Sequence, residues 1–476
     1  MHSPPGTQSD HAPVSRALHV ENVGVDRLER LPRVLFFDCW AIPGAVEKFA
    51  RIARLAADVA DFRLLHLGSF REYLSARTTV TSQRDGQLPK TEVVHGIDCV
   101  DISLFRGMSF EDVLLALNPD VVVDMNMSGL RDRVLYITAA RLGIPAVFMQ
   151  HGAWLDPDAL ELVAKEEDRS LRAPGEYLKR IPSFLWALKN YLRGRDLADP
   201  RPAKVVWRLL STPASSHVFP AAAEELWPTR AMVFTPQDSA ILARTHHLPD
   251  SRLRIVGNPE LDAVCERKVL PMGSEERAER LVELGLEPHR PVVCYLEEAL
   301  VEQNNLFGWD EARRVLLLRE LCEVCQAAGV QLLVRPHPVT KTVAMQQVLG
   351  SRSGVVMSRE LSLLDSCDLS MCVVVTMSTA AETALVLGKP VVVPMWHVNG
   401  DRVVSRYARF GAAHTPESPI ELRELLLSLA AGLTPDTRSE EFVATRLGPV
   451  DGRATRRIAD GILELAKGHV REAGSR

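Results

Sequence analysis

Residues 371–394, MCVVVTMSTAAETALVLGKPVVVP, read as strand, polar turn, helix and strand in succession. Met371 to Thr376 is a β-branched run of the kind buried in a parallel sheet. Ala380 to Leu387 is built of helix formers, and Gly388 and Pro390 end it. Thr379 and Glu382 have the S/T-x-x-E spacing of a capping box, so the helix is expected to begin at Thr379. A helix N-terminus at the carboxyl end of a parallel strand is where such sheets hold phosphate. Ser378 and Thr379 equally read as plain caps of a core helix.

Working outward, the same half of the chain repeats this logic. Pro291 to Leu296 is a first strand, with Glu297 and Glu298 at its crevice end. After a helix over 311–328, Gln331 to Val334 runs into Arg335-Pro336-His337-Pro338. Two prolines bracket one imidazole, each fixing its own φ and biasing its predecessor towards extended geometry. A histidine held in this way suits donation to phosphate, and Arg335 is a natural bidentate partner for the same anion. Cys322 and Cys325 share a helical stripe with Val315 and Leu318, so both read as core thiols rather than metal ligands.

The N-terminal half alternates in the same way. Arg33–Asp38, Phe62–Leu67, Glu92–Asp98, Pro119–Asp124 and Ile144–Met149 are expected strands, separated by helices, which predicts a parallel doubly wound sheet. Gln150-His151-Gly152 follows the last of these, placing His151 at the ligand end of the sheet, where it reads as a residue aimed at a site or as a buried or loop histidine with a structural bond. Leu253 to Val256 leads into the turn Gly257-Asn258-Pro259. The expected organisation is a poorly ordered tail over 1–30, an α/β domain over 31–262, a linker over 263–290 and a second α/β domain over 291–476. Residues 171–210 carry nine Lys or Arg against three acidic residues, with aromatics interleaved. Such a segment reads either as a membrane-interface element or as a helical excursion with solvated charges.

Composition excludes several classes. Across 476 residues, 46% hydrophobic and 25% charged content is ordinary for a soluble globular chain. A net charge of −5 argues against general nucleic-acid binding. No apolar run reaches transmembrane length, and the first thirty residues lack a signal-peptide core. A cytoplasmic location is expected, with a peripheral contact to the inner face of an anionic membrane where the basic segment is read as the interface element.

The order Gln-His-Gly, Gly-Asn-Pro, Arg-Pro-His-Pro and Ser-Thr-x-x-Glu-x-x-x-x-x-Gly-Lys-Pro resembles GT-B-fold glycosyltransferases of bacterial capsule and surface polysaccharide assembly. That group is related to sialyl- and Kdo-transferases and to CDP-glycerol glycerophosphotransferases. The resemblance implies two Rossmann-like domains facing a cleft, with a nucleotide sugar as substrate in the C-terminal one and no separate cofactor. Gly257, Asn258, Arg335, His337, Ser378, Thr379 and Glu382 are the implied donor-binding residues, Glu382 on the ribose hydroxyls in competition with its capping role. His151 is the implied general base, with Glu297 and Glu298 as alternatives. The acceptor would be a lipid-linked or polysaccharide chain. No Asp-x-Asp element stands at a strand end, so no metal is expected. Trp-His-Gly and Asp-Tyr-Ser-Ser, usual in the glycerophosphotransferases, are replaced here by Gln150-His151-Gly152 and Thr376-Met377-Ser378-Thr379, which favours sugar transfer over glycerol phosphate transfer. UDP-N-acetylglucosamine 2-epimerases share the fold and a similar helix, but their Gly-Thr-Arg-Pro-Glu element is replaced by Asp38 to Gly44. A catalytically silent nucleotide-sugar-binding relative is the remaining reading.

Overall fold

A computed structural model describes residues 30–38, 43–74, 91–127, 130–152, 182, 185–187, 189–190, 227–302, 308–350, 352–397 and 405–474. The first sheet contains β1 (Arg33–Asp38), β2 (Asp61–His66), β3 (Thr91–Val94), β4 (Ile97–Asp101), β5 (Val121–Asp124), β6 (Ala146–Met149), β7 (Arg230–Val233) and β8 (Leu253–Ile255). Their order is β3-β4-β2-β1-β5-β6-β7-β8. The second contains β9 (Val292–Leu296), β10 (Gln331–Arg335), β11 (Val355–Met357), β12 (Cys372–Val374) and β13 (Val391–Val392), in the order β11-β10-β9-β12-β13.

Every pairing is parallel except β3 with β4. The single strand expected over Glu92–Asp98 is instead the waist of a hairpin. His95 and Gly96 both take positive φ, 51° and 85°, the geometry of a two-residue turn whose twist matches the flanking strands. A histidine in the first turn position carries little turn signal, so the β-rich pattern read straight through it.

Both faces of each sheet are covered. Phe36 of β1 stacks on Phe49 of the helix Pro43–Arg54 with ring centroids 4.3 Å apart. Val293, Leu332 and Val374 lie under the helix Glu311–Ala327, where Cys322 and Cys325 are buried in the same cluster. Val264, Leu281 and Leu286, from the stretch expected as a linker, pack with Leu261 into the core of the second sheet.

The last helix, Ala454–Gly474, crosses back. Ile458, Ala459, Ile462 and Ala466 join Val34, Phe36 and Val121 on the first sheet, although the expected division at 291 groups this helix with the second. The outward and return crossings are laced together. Asp262 caps the returning helix, accepting the N–H groups of Ala454 and Thr455 at 2.9 and 2.8 Å. Arg457 donates to the Val256 carbonyl at 2.7 Å. Gly257, at φ +83°, is covered so closely that an added Cβ would meet the Pro449 carbonyl oxygen at 2.5 Å, so only glycine fits there.

Most of the basic stretch 171–210 lies outside the described residues. Of it, Trp186 is buried, edge-on to Phe70 and Phe110 at 5.0 and 5.4 Å. Among the described residues no helix is long and apolar enough to cross a membrane.

Candidate active site

In an open α/β sheet the ligand crevice forms where the chain reverses its direction of strand addition. In the second sheet that point lies between β9 and β12. Glu297 and Glu298 leave β9 there, Thr376 to Ser378 leave β12, and Arg335 to His337 leave β10 next door. The three loops predicted from sequence to line one crevice are therefore brought together, and the two glutamates bind them to one another.

Glu298 does this for the loop after β12. One carboxylate oxygen accepts the backbone N–H groups of Thr376, Met377 and Ser378 at 3.0, 2.6 and 2.7 Å, and the Thr376 hydroxyl at 2.8 Å. Consecutive N–H groups converging on one oxygen form a cradle for a negative atom. Burial raises the Glu298 pKa above the usual carboxylate range, although these donors oppose the shift.

Glu297 does the same for the loop after β10. It accepts the His337 N–H at 3.1 Å and the Thr340 hydroxyl at 2.6 Å on one oxygen, and Arg314 at 3.3 Å on the other. Arg314, 2% exposed, also donates to Glu302 at 2.9 Å and to Glu311. The His337 ring remains exposed, its Nδ1 accepting the Val339 N–H at 3.4 Å. Burial and the Arg335 charge lower its pKa. Arg335 itself donates from Nε to the Leu361 carbonyl at 3.1 Å.

The capping box expected at Thr379 and Glu382 does not form. The helix runs Ala381–Val386 without a side-chain cap, and the Ser378 hydroxyl accepts the Ala380 N–H at 3.2 Å. Glu382 is 3% exposed and accepts Arg406, whose Nε stands 3.1 Å away. That cation satisfies the carboxylate better than the weakly polar N–H groups of a short helix. Arg406 also stands 3.8 Å from Asp238, on the helix Pro236–His246 that follows β7. Arg406 thus joins the two halves, and nothing in its local sequence marked it. Asp238 did carry a signal, the Thr235-x-x-Asp238 cap, which the structure shows as Asp238 N–H on the Thr235 hydroxyl at 3.0 Å.

On the first sheet, Gln150 is buried and fastens the strand ends, accepting the Phe234 N–H at 2.7 Å and donating to the Gly152 carbonyl at 2.8 Å. His151 beside it is exposed, and its Nδ1 lies 2.8 Å from the Lys48 ammonium. Lys48 lies 2.6 Å from Glu260. The Gln-His-Gly and Gly-Asn-Pro motifs are therefore linked through a lysine that sequence reading passed over as one charge on an amphipathic helix. Asn258 caps the turn Pro259–Leu261 by accepting the Glu260 N–H at 3.0 Å. Together with the close cover over Gly257, this gives both residues packing roles at the crossover. At the first sheet's own reversal point, Asp124 at the end of β5 is 1% exposed. Burial, with Asp132 and Asp38 nearby, raises its pKa well above the aspartate range.

No protein-family model matches the sequence, and no curated protein is significantly similar to it. Solved structures do resemble it. A variant of the wall teichoic acid polymerase TagF, solved with CDPG, aligns over 93% of this chain and 91% of that one, with a TM-score of 0.53 and 11% identity. A Listeria monocytogenes protein provisionally assigned as a UDP-N-acetylglucosamine 2-epimerase aligns over 91% of this chain and 96% of that one, with a TM-score of 0.50 and 12% identity. The fold is GT-B. Identities this low establish the architecture and leave the reaction to the site.

Proposed function

We propose that the protein is a nucleotide-sugar-dependent glycosyltransferase, moving a sugar to a polysaccharide or glycolipid acceptor of the cell surface. The observation that carries this reading is the cradle formed by Thr376, Met377 and Ser378 at the reversal point of the second sheet, its donors converging on one negative oxygen. Glu298 is the anion it accepts here. A donor phosphate carries the same charge on a similar oxygen, and it binds by displacing that carboxylate, with His337 alongside. The bond broken is that between the anomeric carbon and the phosphate oxygen, whose electron pair leaves with the nucleoside phosphate. The acceptor oxygen forms the new bond, and its proton passes to the displaced Glu298 carboxylate. The cradle and His337 stabilise the leaving phosphate.

Thermal unfolding with a panel of UDP, CDP, CMP, GDP and their sugar conjugates tests this. A ligand at a hundred times its Kd adds about 2.7 kcal/mol. One nucleotide is expected to stabilise the wild type, with His337→Ala weakening it by about 1.5–3 kcal/mol, the scale of a charge-assisted hydrogen bond. A panel with no hit, or equal binding by the variant, overturns the assignment. The likeness to TagF supports glycerol phosphate transfer as a second reading. For a nucleoside diphosphate sugar the leaving group separates the two, since cleavage at carbon releases the diphosphate, whereas CDP-glycerol cleaved at phosphorus releases the monophosphate.

A further inference from the structure

Lys48, His151 and Glu260 come from three distant places: the helix after β1, the end of β6 and the crossover between the sheets. The Lys48 ammonium stands 2.8 Å from Nδ1 of His151 and 2.6 Å from a carboxylate oxygen of Glu260. An ammonium has protons to give and no lone pair to offer, so Nδ1 is the acceptor. A neutral imidazole has one ring proton, and with Nδ1 engaged that proton resides on Nε2. We infer that Lys48, itself held by Glu260, is a positioning residue that fixes His151 as a hydrogen-bond donor through Nε2, directed at an accepting oxygen of the substrate, such as phosphate. A general base needs a bare nitrogen facing the proton it removes, and in this arrangement the only bare nitrogen is covered by a cation. The role implied for His151 by family resemblance is therefore reversed.

Two further observations agree. Burial and the Lys48 charge lower the His151 pKa, with Glu260 opposing, which keeps the ring neutral and the tautomer defined. At the end of β10 in the second sheet, the His337 Nδ1 accepts a backbone N–H from Val339 at 3.4 Å, which gives that ring the same tautomer. Two crevice-end histidines thus both carry their proton on Nε2. A pair of donors fits recognition of anionic oxygens and leaves proton removal to a carboxylate.

The tautomer assignment stands on the lysine geometry alone, whereas the ligand class rests on the glycosyltransferase reading, and the experiment separates them. Two-bond ¹⁵N–¹H correlation spectra of the full chain, without ligand, read the tautomer of His151 directly, with His151→Gln assigning the signal. Wild type is expected to show a protonated Nε2 and a bare Nδ1. Lys48→Met is expected to mix the tautomers and to move the His151 titration to higher pH, and Lys48→Arg, which also only donates, is expected to restore the wild-type pattern. A protonated Nδ1 in wild type, or a Lys48→Met spectrum identical to wild type, overturns the inference. Adding inorganic phosphate and then UDP is expected to shift the Nε2 resonance. Unchanged His151 signals when UDP binds by thermal shift overturn the donor role while leaving the nucleotide reading intact. Absence of any UDP, CDP, CMP or GDP binding overturns that reading instead and leaves the tautomer as measured.

Discussion

The two crevice edges use charge in opposite ways. On the second sheet, Glu297 and Glu298 are bound to the loops after β10 and β12 by backbone N–H groups, hydroxyls and the buried Arg314. On the first, His151, Lys48 and Glu260 form a relay that reaches solvent, with Glu260 half exposed and the His151 ring open. Buried charges of the first kind organise backbone, because each partner removed leaves another orphaned. Exposed charges of the second kind contribute little to stability and remain available to a ligand. Equivalent positions at the ends of parallel strands therefore divide into a buried clamp, which a phosphate reaches by replacing a carboxylate, and an open contact surface, according to what surrounds them.

Stability measurements on single variants can break this contrast. The largest effect is expected from Arg314→Met, which leaves Glu297 buried without its cation and should cost about 3–5 kcal/mol in denaturant unfolding. A loss below 1 kcal/mol would mean that Glu297 is not held by Arg314. Next comes Glu298→Ala, which orphans three N–H groups and a hydroxyl and should cost about 1–3 kcal/mol. Its isostere Glu298→Gln keeps the accepting oxygen and should cost far less, while losing transferase turnover if this carboxylate is the base. The pair also sharpens the pH dependence. The folded-state pKa of Glu298 lies above its unfolded value. Its contribution is therefore complete below the ordinary glutamate range and is lost as pH rises through the folded pKa. Comparing unfolding midpoints across that range, wild type should lose more stability than Glu298→Gln on going to higher pH; parallel curves would show that this carboxylate is not perturbed. The smallest effect belongs to Lys48→Met, at most about 1 kcal/mol, alongside a changed His151 titration. A large destabilisation would place the relay with the buried clamp.

Much of the fold was legible because it is written in local patterns. The apolar runs at 33–38, 121–124, 292–296 and 331–335 are strands, each followed by chain that turns back along the sheet. That alternation is enough to specify parallel pairing and to put His151, Glu297, Glu298, His337 and Ser378 at strand ends. The hairpin at His95-Gly96 was missed because its turn signal is weak. The capping box was over-read because S/T-x-x-E spacing says only what Glu382 is able to do locally, and Arg406 offered it a stronger partner.

By itself, then, the amino-acid sequence determined most of the strands and helices and put His151, Glu297, Glu298, His337 and Ser378 at strand ends, since hydrophobic periodicity and turn chemistry act over a few residues. Only the tertiary structure decided what those residues hold. Glu298 meets a loop 78 positions away and Lys48 meets a histidine 103 positions away, while the last helix closes over the first sheet beside a glycine that admits no side chain. A carboxylate becomes a clamp, and an imidazole a donor, through burial and through partners that arrive from distant parts of the chain, and no local pattern encodes either.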